Sequence, residues 1–241
     1  MPPRPGRTWT NAPVVLVHGL AHNTSAWIDL AERLRAAGFS DLHAVAYGLG
    51  ADVPTIASMI ERGVDRALLT SRETRVHVVA HSLGGVGVRY WHDVLDGQRR
   101  ADAIVSLGAP HGGTPWARLV ILPRRARDLA PGSPILSAPN DYRRWTTIGG
   151  SLDVVVPASS SHLQSSQRID LPGVGHAGLL TSPAVGGVVC AALLEAEYQR
   201  AVRAHCAEPG PPVTHAAASR TRSTTSCRGS VASTTTAPNS R

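Results

Sequence analysis

Apolar positions along this chain alternate between two periods. Residues 13–17, Pro-Val-Val-Leu-Val, form a short β-branched run without a polar break, the pattern of a strand buried on both faces. Behind the capping candidates Asn23, Thr24 and Ser25, the apolar residues Trp27, Leu30, Ala31 and Leu34 recur at helical spacing, and Gly38 closes that helix. Residues 42–47 return to the strand pattern. Residues 52–69 place Ile56, Met59, Ile60, Val64, Ala67 and Leu68 on one helical face with the charges opposite. The rhythm continues with a strand over 76–80, a helix over 83–95 and a strand over 103–107. It resumes with strands over 145–149 and 168–171, and with a long closing helix over 185–204 behind Ser182 as its cap. Strand and helix in this alternation predict an α/β fold, a mostly parallel central sheet with helices on both faces. Ligands on such sheets bind at the carboxyl ends of the strands. His18, Ser82 and Pro110 all fall just past predicted strand ends, so they are expected to share one rim.

One stretch breaks the rhythm. Residues 111–144 hold Pro115, Pro123, Pro131, Pro134 and Pro139 around a single apolar patch at 117–122. They predict an excursion over the rim with one or two short helices, either a lid or a plain surface crossover. The remaining organisation is an N-terminal extension (1–12), the α/β domain (13–205) and a tail (206–241) rich in Ser, Thr, Ala and Arg, which lacks the apolar residues to fold.

Composition adds mainly exclusions. At 241 residues the chain suits one α/β domain with a sizeable core. No stretch approaches the roughly 20 apolar residues of a membrane span, so no integral membrane segment is expected. Residues 1–12 contain no apolar core of a secretory signal, so as written the chain reads as cytoplasmic. The net charge is +7, carried entirely by arginine on the basic side. Four of those arginines against one acid lie from Cys206 onward. The body is left mildly and diffusely basic, which does not make a nucleic-acid footprint. Arg124, Arg125 and Arg127 read as a solvated loop face. The cysteines are Cys190, Cys206 and Cys227, too few for a disulfide framework, and no His or Cys spacing suggests zinc. Gly48-Leu49-Gly50 lacks the third glycine of a dinucleotide loop.

Chemistry enters at Val76-His77-Val78-Val79-Ala80-His81-Ser82-Leu83-Gly84-Gly85. A β-branched run feeds directly into a serine, two glycines follow, and a helix begins. That is the layout of a nucleophile elbow, a tight strand-turn-helix that lifts one hydroxyl clear of the sheet. The turn needs small residues two before and two after the serine. Here they are Ala80 and Gly84, an Ala-x-Ser-x-Gly form. The alternative is a buried strand followed by an ordinary helix with Ser82 as its N-cap.

A serine hydroxyl is a poor nucleophile at neutral pH and needs a general base. Of the eleven histidines, His77 sits inside a strand, His81 adjoins the serine on the opposite side of the turn, and His43 and His92 lie within elements. His205 and His215 lie in or near the tail. His176 instead follows a strand in the glycine-rich loop Gly173-Val174-Gly175-His176-Ala177-Gly178, free to reach over the rim; His111 and His162 are its rivals. The base needs a carboxylate to fix its tautomer. Asp153 follows the strand at 145–149, lies between Ser82 and His176, and fits the Ser…Asp…His order of such folds. Asp141, inside the excursion, and Asp170, inside the last strand, fit less well. The negative oxygen formed on attack needs donors already in place. The backbone N–H of Leu83, at the start of its helix, and that of Leu20, beyond His18-Gly19, are the candidates. Gly19 would allow the close turn and His18 would brace it.

Taken together, Val15-Leu16-Val17-His18-Gly19-Leu20, Ala80-His81-Ser82-Leu83-Gly84-Gly85, Leu107-Gly108-Ala109-Pro110-His111-Gly112-Gly113-Thr114, Leu152-Asp153-Val154-Val155-Val156-Pro157 and Gly173-Val174-Gly175-His176 resemble the α/β-hydrolase fold. Within it they resemble most the small bacterial lipases and esterases. The resemblance spans residues 13–204 and implies hydrolysis of carboxylic esters, lipid acyl esters above all, without cofactor or metal. It assigns the nucleophile to Ser82, the acid to Asp153 and the base to His176. It also implies secreted relatives, against the absence of a signal, and a longer 111–144 segment than lidless members have. The same residues would serve an acyltransferase or thioesterase, or a homologue that only binds a ligand.

Overall fold

A computed structural model of the chain describes residues 11–115, 117, 128–137 and 140–207. Most of the 1–12 extension, the 118–122 part of the apolar patch, the Arg124–127 cluster and the tail beyond Ala207 lie outside the described residues.

The strands are β1 (Val14–Val17), β2 (Leu42–Val45), β3 (Val76–His81), β4 (Ala101–Leu107), β5 (Trp145–Gly150) and β6 (Gln167–Leu171). All pair in parallel, in the order β2-β1-β3-β4-β5-β6. The helices are α1 (Ile28–Ala36), α2 (Val53–Ser71), α3 (Leu83–Val94), α4 (Pro134–Ser137), α5 (Gly178–Thr181) and α6 (Pro183–Ala207). Two start signals act as their chemistry predicts. The Asp52 carboxylate accepts from the Thr55 amide at 3.0 Å, with Pro54 in the first turn of α2. The Asn23 side chain accepts from the Ser25 amide at 2.8 Å and starts a 3₁₀ turn, Thr24–Trp27, ahead of α1. Among the described residues, no helix is long and apolar enough to cross a membrane.

Side chains alternate across the sheet because successive Cβ atoms point to opposite faces. Val14, Leu16, Val79 and Val105 meet Leu30 and Leu34 of α1, Leu179 of α5, and Val189 and Leu193 of α6. Val15, Val17, Val78 and Ile104 meet Ile56, Ile60 and Val64 of α2 and Val86 and Trp91 of α3 on the other face. The chain therefore leaves β1 along one face and returns to β3 along the other. That reversal opens a crevice at the carboxyl ends of β1 and β3. Register puts the exits level: Val17 pairs with Ala80, His81 with Leu107, Leu107 with Ile148, and Gly150 with Leu171. The loops carrying His18, Ser82, Gly108, Asp153 and His176 consequently leave the sheet on one rim.

Within the 111–144 excursion, the described part includes α4, and Ala117 and Leu129 are buried. The turn α5 and a 3₁₀ turn at Ala158–Ser160 have no counterpart in the hydrophobic pattern, being too short to show a period.

Candidate active site

Ser82 sits between β3 and α3 with φ 51° and ψ −125°. A side-chain-bearing residue in that region costs about 1–3 kcal/mol and persists only where its surroundings enforce it. Here they do. The Ser82 amide donates to the Leu107 carbonyl at 2.9 Å, and the Ser82 carbonyl accepts from Gly85 at 2.9 Å. The small neighbours are sterically required. A Cβ on Gly84 would collide with the carbonyl oxygens of Val17 and His18, and one on Gly85 with the Ala109 methyl. The tight turn thus needs β1 and β4 beside it as well as its own sequence.

The structure brings Ser82, His176 and Asp153 into one chain of hydrogen bonds. The Ser82 hydroxyl donates to His176 Nε2 at 3.0 Å, and His176 Nδ1–H donates to Asp153 Oδ2 at 2.7 Å. The other carboxylate oxygen accepts from the Val155 and Val156 amides at 2.9 and 2.8 Å. The Asp153 side chain is fully buried. Burial pushes its carboxyl up, but the His176 bond and the two amides outweigh burial and hold the pKa below the ordinary aspartate value. His176 thus has an ionised partner across the neutral range.

The rivals lie elsewhere. His111 is buried with Nε2 3.0 Å from Ser106 Oγ, and burial, then the nearby Arg89, lower its pKa to about 3. His162 is held between Thr147 Oγ1 at 2.8 Å and Asp170 Oδ1 at 2.9 Å. Asp141 is exposed and paired with Arg143 at 2.7 Å. His77 is buried against Glu197 at 2.9 Å, as a histidine inside a strand should be.

The loop after β1 passes directly against the serine. A Cβ on Gly19 would lie 2.8 Å from the buried His81 Nδ1 and 3.0 Å from Ser82 Cβ, so a larger residue would push against the serine turn. Leu20 follows it. Leu83 is the first residue of α3, so its N–H has no acceptor within the helix. His18 Nδ1 bonds the Gly19 carbonyl at 2.9 Å, the bracing expected of it.

Other contributors carry no sequence signal of their own. Tyr47 stacks on the His18 ring at 4.2 Å and donates its hydroxyl to the His18 carbonyl, clamping the loop from β2. His81 does more than flank the turn. It is fully buried, its Nε2–H donates to the His176 carbonyl at 3.2 Å, and the two rings lie 4.7 Å apart. Burial, then the adjacent His176, lower its pKa to about 3, so it stays a neutral donor. Gly108, at φ +52°, lies under the Asp153–His176 pair, and a Cβ there would sit 3.0 Å from Asp153 Oδ2. His22, exposed beyond Leu20, stacks near His81 at 5.5 Å. Each contact joins residues distant in sequence, which is why pattern alone does not mark them.

A parallel sheet, a strained serine turn, and a buried carboxylate and an imidazole on neighbouring loops define a class, and sequence comparison names it. The profile described as the alpha/beta hydrolase family matches residues 14–217, and the chain belongs to that family. Solved structures of similar fold include the mature lipase BlEst2 of Bacillus licheniformis, at 17% identity and a TM-score of 0.65, covering 80% of this chain and 96% of that one. Lipase B of Aspergillus fumigatus matches at 18% identity and a TM-score of 0.64, over 76% of this chain and 52% of that one. An esterase from Thermogutta terrifontis matches at 14% identity and a TM-score of 0.56, over 79% and 92%.

Proposed function

We propose that this chain is a serine hydrolase cleaving carboxylic esters through an acyl-enzyme, with lipid acyl esters as the favoured class. The observation that carries the reading is the unbroken chain from the Ser82 hydroxyl through His176 to the buried Asp153 carboxylate, on a strained turn. Ser82 Oγ attacks the ester carbonyl while His176 Nε2 takes its proton. Asp153 holds the imidazole in the tautomer that can accept and steadies the imidazolium. The Leu20 and Leu83 amides donate to the oxygen that becomes negative. His176 then protonates the departing alcohol, and water, activated by the same imidazole, releases the acid. Side chains, backbone amides and water supply every group in this scheme.

The preference for lipid esters is supported by apolar residues exposed beside the acid. Leu152 is 63% and Val154 76% exposed on the rim that carries Asp153. Those side chains would gain by meeting an apolar surface. The domain limits follow the same reading, with 13–205 as the catalytic unit.

The test is labelling with a fluorophosphonate and mapping of the modified peptide. Modification at Ser82 that disappears in His176→Ala supports an activated serine. A folded protein that remains unlabelled refutes it and favours a homologue that only binds its ligand.

A further inference from the structure

The loop that leaves β4 runs alongside the loop that leaves β5, and two hydroxyls tie them together. The Gly112 amide donates to the Ser160 carbonyl at 2.9 Å, and the Ser160 hydroxyl donates to the Gly113 carbonyl. Next in the chain, the Thr114 hydroxyl donates to the Val155 carbonyl at 2.7 Å. The two ties end at different places. Ser160 closes the 3₁₀ turn Ala158–Ser160, whereas Val155 lies in the turn whose amides hold the Asp153 carboxylate.

A peptide unit is a rigid plane, with the carbonyl of one residue and the N–H of the next pointing opposite ways. The Val155 carbonyl therefore shares its plane with the Val156 N–H. Thr114 holds the oxygen end of that plane, and the N–H end donates to Asp153 Oδ1 at 2.8 Å. The threonine thus reaches the carboxylate through a single peptide unit. A donor on the carbonyl polarises the unit and strengthens its N–H. It also keeps the plane from rocking, which would turn the N–H away from Oδ1. The other oxygen, Oδ2, is the one that accepts from His176 at 2.7 Å, so a firmly held Oδ1 fixes where Oδ2 meets the imidazole.

Thr114 is itself held in place. Its amide donates to the Leu129 carbonyl at 3.0 Å, and its carbonyl accepts from the Ala117 amide at 3.1 Å. Gly113 before it, at φ +91°, passes so close to the chain that a Cβ there would lie 2.6 Å from the Pro131 nitrogen. Thr114 is buried, and a buried hydroxyl needs an acceptor for its proton. The Val155 carbonyl is that acceptor.

We propose that Thr114 is a positioning residue for the acid, acting through the Val155–Val156 peptide to hold Asp153 in line with His176. The inference rests on the ester-hydrolase reading and extends it by one residue. Thr114 acts only on the orientation of the imidazole that is to take the Ser82 proton, so it governs turnover rather than substrate binding.

The test measures kcat and KM on p-nitrophenyl butyrate, together with the downfield proton resonance of His176 Nδ1–H. Thr114→Val keeps the shape and removes the donor. It should lower kcat about tenfold with KM within about twofold, and should shift or broaden the resonance. Thr114→Ser keeps the donor and should return kcat to within about threefold of the parent. Ser160→Ala removes the neighbouring tie, which does not reach the carboxylate, and should change kcat by less than about twofold. Circular dichroism checks folding, with Thr114→Ala as a second variant that lacks the donor. Equal losses in Thr114→Val and Ser160→Ala, a resonance unmoved in Thr114→Val, or a Thr114→Ser protein as impaired as Thr114→Val overturns the positioning role. A parent protein with neither ester turnover nor fluorophosphonate labelling overturns the hydrolase reading instead, and the resonance then still reports whether Thr114 holds Asp153 against His176.

Discussion

The molecule contains two chains of hydroxyl, imidazole and carboxylate built from the same chemistry. One is Ser82–His176–Asp153; the other is Thr147–His162–Asp170. Their bond lengths nearly coincide, but their settings are reversed. Ser82 lies half-buried on a strained turn, whereas Thr147 is fully buried in the regular strand β5. The Asp153 carboxylate is dry and held by two amides, whereas the Asp170 side chain is 60% exposed on the edge strand β6. The imidazoles are also turned end for end, Nε2 facing the serine in the first and Nδ1 facing the threonine in the second. Thr147 Oγ1 further lies 3.1 Å from Ser166 Oγ, tying β5 to the segment before β6. A nucleophile has to be accessible while its carboxylate is sheltered. The second chain has that order inverted, and reads as a staple between strands.

Four measurements would break or sharpen this contrast. The largest effect is expected at the hydroxyls. Ser82→Ala should reduce kcat/KM on p-nitrophenyl butyrate by about 10⁴-fold or more, with the fold intact. Thr147→Val should leave turnover within about threefold and instead lower stability by about 1–2 kcal/mol, read by denaturant unfolding. Comparable activity losses in both would dissolve the distinction.

The carboxylates come next. Asp153→Asn keeps an oxygen for the Val155 and Val156 amides but no longer fixes the His176 tautomer, and should lower kcat by about 10³–10⁴-fold. Asp170→Asn should change kcat by less than about threefold.

Each chain also has a buried imidazole at its side, His81 against His176 and His111 under the electrostatic influence of His162. Both are lowered to about 3, burial being the main cause. Between the unfolded value near 6.5 and the folded value, the unfolded chain takes up protons that the native state refuses. Their contribution is thus fully present above about pH 6.5 and lost as pH falls towards 3. His111→Asn should reduce the slope of unfolding free energy against pH by about 1.4 kcal/mol per pH unit between pH 6 and 4. An unchanged slope would mean that His111 charges freely in the folded protein.

The smallest effect belongs to Tyr47, whose clamp on the His18 loop serves only the first chain. Tyr47→Phe should lower kcat about three- to tenfold with KM little changed, as expected for a group that positions transition-state donors. A change confined to KM would place Tyr47 in substrate binding.

The strand and helix order, the parallel α/β class and the residues proposed as nucleophile, acid and base were legible because each rests on local or ordered signals. These are β-branched runs, apolar residues at helical spacing, small residues around Ser82, and loops that begin where strands end. Residue types alone could not separate Asp153 from Asp170, or His176 from His162, because each pair could supply the same bonds. Position past a strand end favoured one member of each pair, and geometry shows what that position provides. Strand register brings five loop exits to one level, and the Val155 and Val156 amides hold a buried carboxylate facing His176. The links from Tyr47 to His18, from His81 to His176 and from Gly108 to the Asp153–His176 pair join residues about 30 to 95 positions apart in the chain. Sequence by itself determined the elements and their chemical candidates, since propensity and periodicity act over a few residues. Which hydroxyl stands open beside a sheltered carboxylate was decided only by tertiary structure, because burial and long-range hydrogen bonding are properties of the packed chain.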